Sequence, residues 1–116
     1  MVDARRSPLR LRAVGPKDGS YTKVEVRLEN KSARDLVDVV LELDGSPVGR
    51  EHQIHPEKVR RFLLPIESLN VPDLPTLPET RAGQLLNEKL AGRLEVAYEL
   101  DGYRFRRSGT GEVREA

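Results

Sequence analysis

Residues with reactive side chains are few, and their spacing decides what they can do. His52 and His55 form the stretch HQIH. On a helix an H-x-x-H pair can share a metal ion, but residues three apart on a strand point to opposite faces. No third ligand stands at a recognisable spacing, and the chain has no cysteine. Thiolate zinc sites, disulfides and thiol catalysis are therefore excluded. Glu95 and Glu99 could act as a general acid and base, but they alternate with apolar residues as the outer face of a strand does. The stretch SGTGEV, 108–113, has two glycines of a phosphate loop but lacks the third glycine, the following helix and the Lys-Ser/Thr pair. No G-x-S-x-G nucleophile turn occurs. The reading is of a chain that is not an enzyme and has no catalytic residues, cofactor or metal.

Arginine clusters and one proline-rich stretch are the remaining candidates. Arg5, Arg6, Arg10 and Arg12 lie near the start, Arg60 and Arg61 in the middle, and Arg104, Arg106 and Arg107 near the end. If the first and last strands approach one another, these merge into one stripe. Interleaved with Tyr103 and Phe105, such a stripe could clamp single-stranded nucleic acid as a small oligonucleotide-binding β-barrel does. Against this, the aromatics alternate with Arg104 and Arg106 and so take the other face. Aromatics are only 4% of the chain, so the core needs them. Glu112 and Glu115 can also neutralise the stripe. Nucleic acid is therefore the second choice of partner. Arg104 and Arg106, as planar donors that stay charged, suit a carboxylate-bearing protein. In VPDLPTLPE, Val71, Leu74 and Leu77 stand between prolines. They form either an apolar ledge for a partner or a crossover whose side chains pack on the end of the core.

The totals frame both candidates. The chain has 116 residues, the size of one domain, 1–116. Its 20 Lys plus Arg against 19 Asp plus Glu give a net charge of +1. That balance argues against a dedicated nucleic-acid or membrane-surface protein. No stretch nears the roughly 18 apolar residues of a membrane span. The opening MVDARRSPLRLR has no apolar region after its basic residues, so a cytoplasmic location is expected.

Strands must position these residues, because alternation of period two recurs along most of the chain. Leu9, Leu11 and Ala13 mark a first strand, and Asp18-Gly19 a turn. Residues 24–45, VEVRLENKSARDLVDVVLELDG, read as a hairpin with Asn30 to Arg34 as its connection. Val24, Val26 and Leu28 face one way on its first arm. On the second arm Val37, Val39, Leu41 and Leu43 do so. PVGREHQI, bearing Pro47, reads as an edge strand. Phe62, Leu64 and Ile66 alternate with Arg61 and Leu63 as another strand, and Pro65 suggests an edge or a strand end. Leu94 to Leu100 and Tyr103 to Arg107 form a hairpin about Asp101-Gly102, a two-residue type I′ turn. Residues 1–7 and 109–116 read as fraying ends, with a short strand around Val113. In 69–92, Pro72, Pro75 and Pro78 recur at the polyproline II period, which predicts an extended, stiff crossover. A short helix follows over 78–92, with Gly92 as its C-terminal cap.

YTKVEVRLENKSARDLVDVVLELDG resembles the opening of bacterial and archaeal immunoglobulin-like modules of the CARDB/NEW3-like kind. In these an alternating strand ends in Asn, a small-residue knuckle follows, and a second strand ends near Asp-Gly. GRLEVAYELDGYRFR, 92–106, resembles their closing hairpin; the proline-rich insertion has no counterpart there. The resemblance implies a non-enzymatic binding or spacer domain. The expectation is an all-β immunoglobulin-like sandwich of about seven strands, with a proline-rich crossover and room for one short helix. It would act as a protein-interaction, adaptor or structural module in a larger assembly, of bacterial or phage origin in one version. The candidate contacts are Val71, Leu74, Leu77, Arg104 and Arg106.

Overall fold

A computed structural model describes residues 8–15, 21–72 and 74–115. The expected Asp18-Gly19 turn, Arg5 and Arg6 lie outside the described residues. Eight strands are found among those described: β1 Leu9–Val14, β2 Lys23–Glu29, β3 Leu36–Leu43, β4 Ser46–Ile54, β5 Val59–Pro65, β6 Leu94–Leu100, β7 Tyr103–Ser108 and β8 Val113–Glu115. They form two antiparallel sheets, ordered β1-β2-β5 and β4-β3-β6-β7-β8. This is an all-β sandwich of immunoglobulin-like order, except that the fourth strand pairs with the third and not with the fifth. β4 is an edge strand, as Pro47 predicts. Asp44-Gly45 (φ 51° and 85°) and Asp101-Gly102 (φ 54° and 87°) both take the two positive φ angles of type I′ turns. The strand expected around Val113 forms, on the edge beyond β7.

Residues 24–45 are not a hairpin. β2 pairs with β1 and β5, while β3 pairs with β4 and β6, so the chain passes from one sheet to the other between them. Strands β2, β5, β3 and β6 each bring apolar side chains to one face, and stacking the two sheets buries these faces against each other. The passage turns on Asn30, which is fully buried. Its side-chain Nδ2 donates to the carbonyls of Arg34 (2.8 Å) and Ile54 (2.8 Å), and its Oδ1 accepts from the Ser32 N–H (3.0 Å). Its own N–H donates to Lys58 O (2.9 Å), and its carbonyl accepts from Glu57 N–H (2.7 Å). One residue thus joins the end of β2, the passage to β3, the end of β4 and the turn before β5.

The inward set on β3 differs from strict alternation. Leu36, Val39, Leu41 and Leu43 are buried, while Val37 is only half-buried. The cause is a β-bulge: pairing with β6 shifts between Val37 and Val40, and Asp38 there has φ 50°. One extra residue resets which side chains point inward. At one end of the sandwich Leu28, Leu36, Val39, Ile54, Val96, Tyr98 and Leu100 pack together. At the other, Val24, Val26, Leu41, Phe62 and Leu64 meet the crossover side chains. Gly49 lies so close to the Phe62 ring that an added methyl would overlap it.

The crossover is not extended. It makes 3-10 turns at Ile66–Ser68 and Leu74–Thr76. Leu69, Val71 and Leu74 turn into the core, and burying them outweighs the polyproline preference of the segment. Helix α1, Glu79–Leu85, starts directly after Pro78 and runs into a π-turn, Leu86–Leu90, and a 3-10 turn, Ala91–Arg93. In the π-turn the Ala91 N–H bonds to Leu86 O, and Leu86 and Leu90 are both fully buried. Gly92 is not a left-handed cap; it sits inside the final 3-10 turn. Arg93 fastens this segment. Its Nε and Nη2 donate to the Asp44 carboxylate (3.0 and 2.7 Å) and its Nη1 to Leu69 O (2.6 Å).

In urea melts Asn30→Ala and Val39→Asp should each lower stability by about 3 kcal/mol or more, the first by stranding buried polar groups and the second by burying a charge. Gly49→Ala should cost about 1–3 kcal/mol by overpacking. Glu25→Gln, on an outward face, should change stability by no more than about 0.5 kcal/mol. Similar losses for Asn30→Ala and Glu25→Gln would show that Asn30 does not hold the passage between the sheets.

Candidate functional site

The two sheets present contrasting outer faces. On the five-stranded sheet the outward residues of β3, β6, β7 and β8 are largely paired with one another. Arg106 Nη1 lies 2.9 Å from Glu42 and 3.8 Å from Glu95, and Arg114 Nη2 lies 2.9 Å from Glu95. The Glu42 carboxylate, through its hydrogen bond and its charge, holds the Arg106 guanidinium above its ordinary pKa. Arg104 Nη1 donates to Asp38 O (3.3 Å), at the bulge. Arg104 and Arg106 therefore face outward as expected, but Arg106 belongs to a closed ion-pair lattice and Arg104 is spent on the backbone of β3. Arg107 is buried, and Tyr103, expected in the core, is exposed.

The three-stranded sheet is different. Val24, Val26 and Leu28 of β2 point inward, so Lys23, Glu25, Arg27 and Glu29 point outward. Register then places outward residues side by side. Arg10 of β1 stands opposite Arg27 of β2, and Arg27 stands opposite Arg61 of β5. Strands are about 4.8 Å apart, so three arginines form a row roughly 10 Å long across the sheet. The next row is Arg12, Glu25 and Leu63, and Leu63 is 53% exposed. Like charges directly opposite each other destabilise a sheet by some tenths of a kcal/mol to about 1 kcal/mol. The nearest compensation is Glu25, 3.6 Å from Arg61. Among the described residues, no carboxylate lies within 4.0 Å of Arg10, Arg12 or Arg27. The face carries Arg10, Arg12, Lys23, Arg27 and Arg61 against Glu25 and Glu29, and Glu29 is 3.7 Å from Lys31.

The arginines at the two ends of the chain do not merge into one stripe. Arg10 and Arg12 lie on the outer face of one sheet, and Arg104 and Arg106 on that of the other, with the core between them. Arg60 points inward beside its neighbour Arg61, stacks 4.5 Å over the Phe62 ring and pairs with Glu51 (2.7 Å). Val71 and Leu74 are buried and Leu77 is half-buried, so the proline-rich stretch offers no exposed apolar ledge at these residues. Val71 borders a hollow of about 460 Å³ with Tyr21, Thr22, Ile66, Glu67, Asn70 and Pro72. His52 and His55 are both exposed and face different partners: His52 Nδ1 is 3.8 Å from Asp38, and His55 Nδ1 is 3.0 Å from Asp35. Among the described residues no group of three or more His, Asp or Glu could hold a metal ion. Among the described residues no helix is long and apolar enough to cross a membrane.

Arg10, Arg12 and Arg61 stand in basic clusters of the sequence, whereas Arg27, the centre of the row, alternates with Glu25 and Glu29 and has no basic neighbour in sequence. The signal that identifies it is cross-strand register, which a single sequence does not contain. No protein-family model, curated protein or solved structure matches the chain.

Two carboxylates make folding sensitive to acid. Asp44 is held below the usual carboxylate range by its hydrogen bonds from Arg93, and Asp35 by its hydrogen bond with His55. A folded pKa below the unfolded value stabilises the fold fully above the unfolded pKa of about 3.9, and the gain is lost as pH falls through the folded value. Asp44→Asn should therefore be less stable than the parent at pH 7 and approach it below about pH 3. Thermal midpoints measured across that range check this, and a difference independent of pH would contradict it.

Proposed function

We propose that the chain is a non-enzymatic interaction module, and that it docks an acidic segment of a partner protein on the outer face of the β1-β2-β5 sheet. The observation that carries this reading is the Arg10–Arg27–Arg61 row, a self-repelling arrangement largely without internal counter-charges. A partner bearing carboxylates would remove the repulsion and gain bidentate pairs. Leu63, exposed beside the row on edge strand β5, offers an apolar contact to such a partner. The resemblance of residues 21–45 and 92–106 to CARDB/NEW3-like modules fits an adaptor or structural role in a larger assembly. The reading places the module in the cytoplasm, where a chain without cysteine loses nothing to reducing conditions.

The oligonucleotide-binding alternative has less support. No aromatic side chain stands on this face among the described residues, so bases would have no stacking platform. The two sheets also remain separate and do not close into a barrel.

A short fluorescent peptide of glutamates around a central leucine serves as a probe. It should bind the parent with an affinity that falls steeply with added salt. Arg10→Glu with Arg27→Glu should weaken binding about tenfold or more, while Arg104→Ala with Arg106→Ala should leave it within about twofold. Equal losses in the two double variants would refute the assignment of the face, and tighter binding of oligo-thymidylate than of the peptide would favour nucleic acid.

A further inference from the structure

The basic face is not uniform. Between edge strand β1 and the π-turn that follows α1 lies a hollow of about 430 Å³, bordered by Arg10, Arg12, Arg27, Glu25 and Asn87. Three arginines border it, and the carboxylate of Glu25 lies 3.6 Å from Arg61 on the neighbouring strand. Asn87, exposed on the π-turn, adds an amide from outside the sheet. The formal charge around the hollow is three positive against one negative, or +2.

That excess is a poor match for one carboxylate, which has two oxygens and one charge and saturates a single guanidinium fork. A phosphoryl group has three terminal oxygens and a charge of about −1.5 to −2 near neutral pH. Its oxygens can accept from three arginines at once, and its charge comes close to balancing the excess. Arginine forks favour such oxyanions over spherical ions.

We propose that this hollow is a subsite for a phosphoryl group, carried by a phosphorylated serine or threonine of the partner's acidic segment. The proposal rests on the docking reading above and deepens it: phosphorylation of the partner would strengthen docking. Asn87 separates the two ideas. It borders the hollow but does not belong to the sheet face, so removing it affects the subsite and not the general attraction for carboxylates.

The test compares three versions of one acidic peptide, with serine, glutamate or phosphoserine at its centre, by fluorescence anisotropy at constant ionic strength. Side-chain NMR signals of the arginines and of Asn87 are followed in parallel. The phosphoserine peptide should bind about tenfold or more tightly than the glutamate peptide. Its advantage should grow as pH rises through the phosphate's second ionisation near pH 6. It should shift the signals of Arg10, Arg12, Arg27 and Asn87 but not those of Arg104 and Arg106. Asn87→Ala and Arg12→Gln should reduce the advantage severalfold, with folding checked by the unchanged far-UV spectrum. Equal binding of the phosphoserine and glutamate peptides would overturn the subsite while leaving the docking face standing. Binding of none of the three would overturn both. Inorganic phosphate or a single-stranded oligonucleotide that binds more tightly than the phosphopeptide would overturn the choice of a phosphorylated protein as the source.

Discussion

Asn30 sits fully buried where the chain leaves one sheet for the other, and its amide is shared between β4 and the passage to β3. The Ile54 carbonyl accepts from this amide, and the Arg34 carbonyl accepts from it and lies 2.8 Å from Ser32 Oγ, so backbone groups at the passage find the partners that burial demands. Because Asn30 satisfies them, β2 and β3 can lie in different layers. That placement decides the rest. It pairs β2 with β1 and β5, and so sets Arg27 between Arg10 and Arg61. It also brings β3 beside β6, where Glu42 and Glu95 receive Arg106. Had β2 and β3 formed a hairpin, β3 would have taken one edge of β2, and Arg27 could not stand between Arg10 and Arg61.

The outer faces that result do different work. On the five-stranded sheet, arginines and glutamates of neighbouring strands satisfy one another, with each exposed pair contributing little and the network keeping the face solvated and neutral. On the three-stranded sheet the same residue type is set against itself. A fold selected for stability alone would place a carboxylate or a threonine at Arg27. Local rules broken without internal compensation mark the places where function competes with folding. The hollow at Asn87 adds to this, because the π-turn that exposes Asn87 also buries Leu86 and Leu90. A detour in the helix thus serves the core on one side and the basic face on the other.

Much of the fold is legible in the sequence. Asp44-Gly45 and Asp101-Gly102 admit few conformations besides type I′, and Pro47 restricts β4 to an edge. What is not legible depends on partners distant in sequence. Alternation in 24–29 and 36–43 looks the same for a hairpin and for two strands in opposite sheets. Only the buried amide of Asn30 tells them apart, by reaching Ile54 24 positions away. The bulge at Asp38 shifts the inward set from Val37 to Leu36, and no periodicity announces it. The three-residue spacing of Pro72, Pro75 and Pro78 suggests an extended segment, yet the leucines and valine among them carry more burial energy than the backbone preference resists. At the candidate site the outward direction of Arg104 and Arg106 follows from alternation. Their interactions with Glu42 and Asp38, like the isolation of Arg27, require register.

The central claim is that one arginine face is assembled for the fold and the other is kept open for a partner. Urea unfolding of Arg27→Thr beside Arg106→Thr tests it most directly. Arg27→Thr should equal or exceed the parent in stability, by up to about 0.5 kcal/mol, because it relieves two like-charge neighbours and favours the strand. Arg106→Thr should lose about 0.5–1 kcal/mol with its pairs to Glu42 and Glu95. A loss for Arg27→Thr as large as that for Arg106→Thr would contradict the account, since Arg27 would then be holding the fold together.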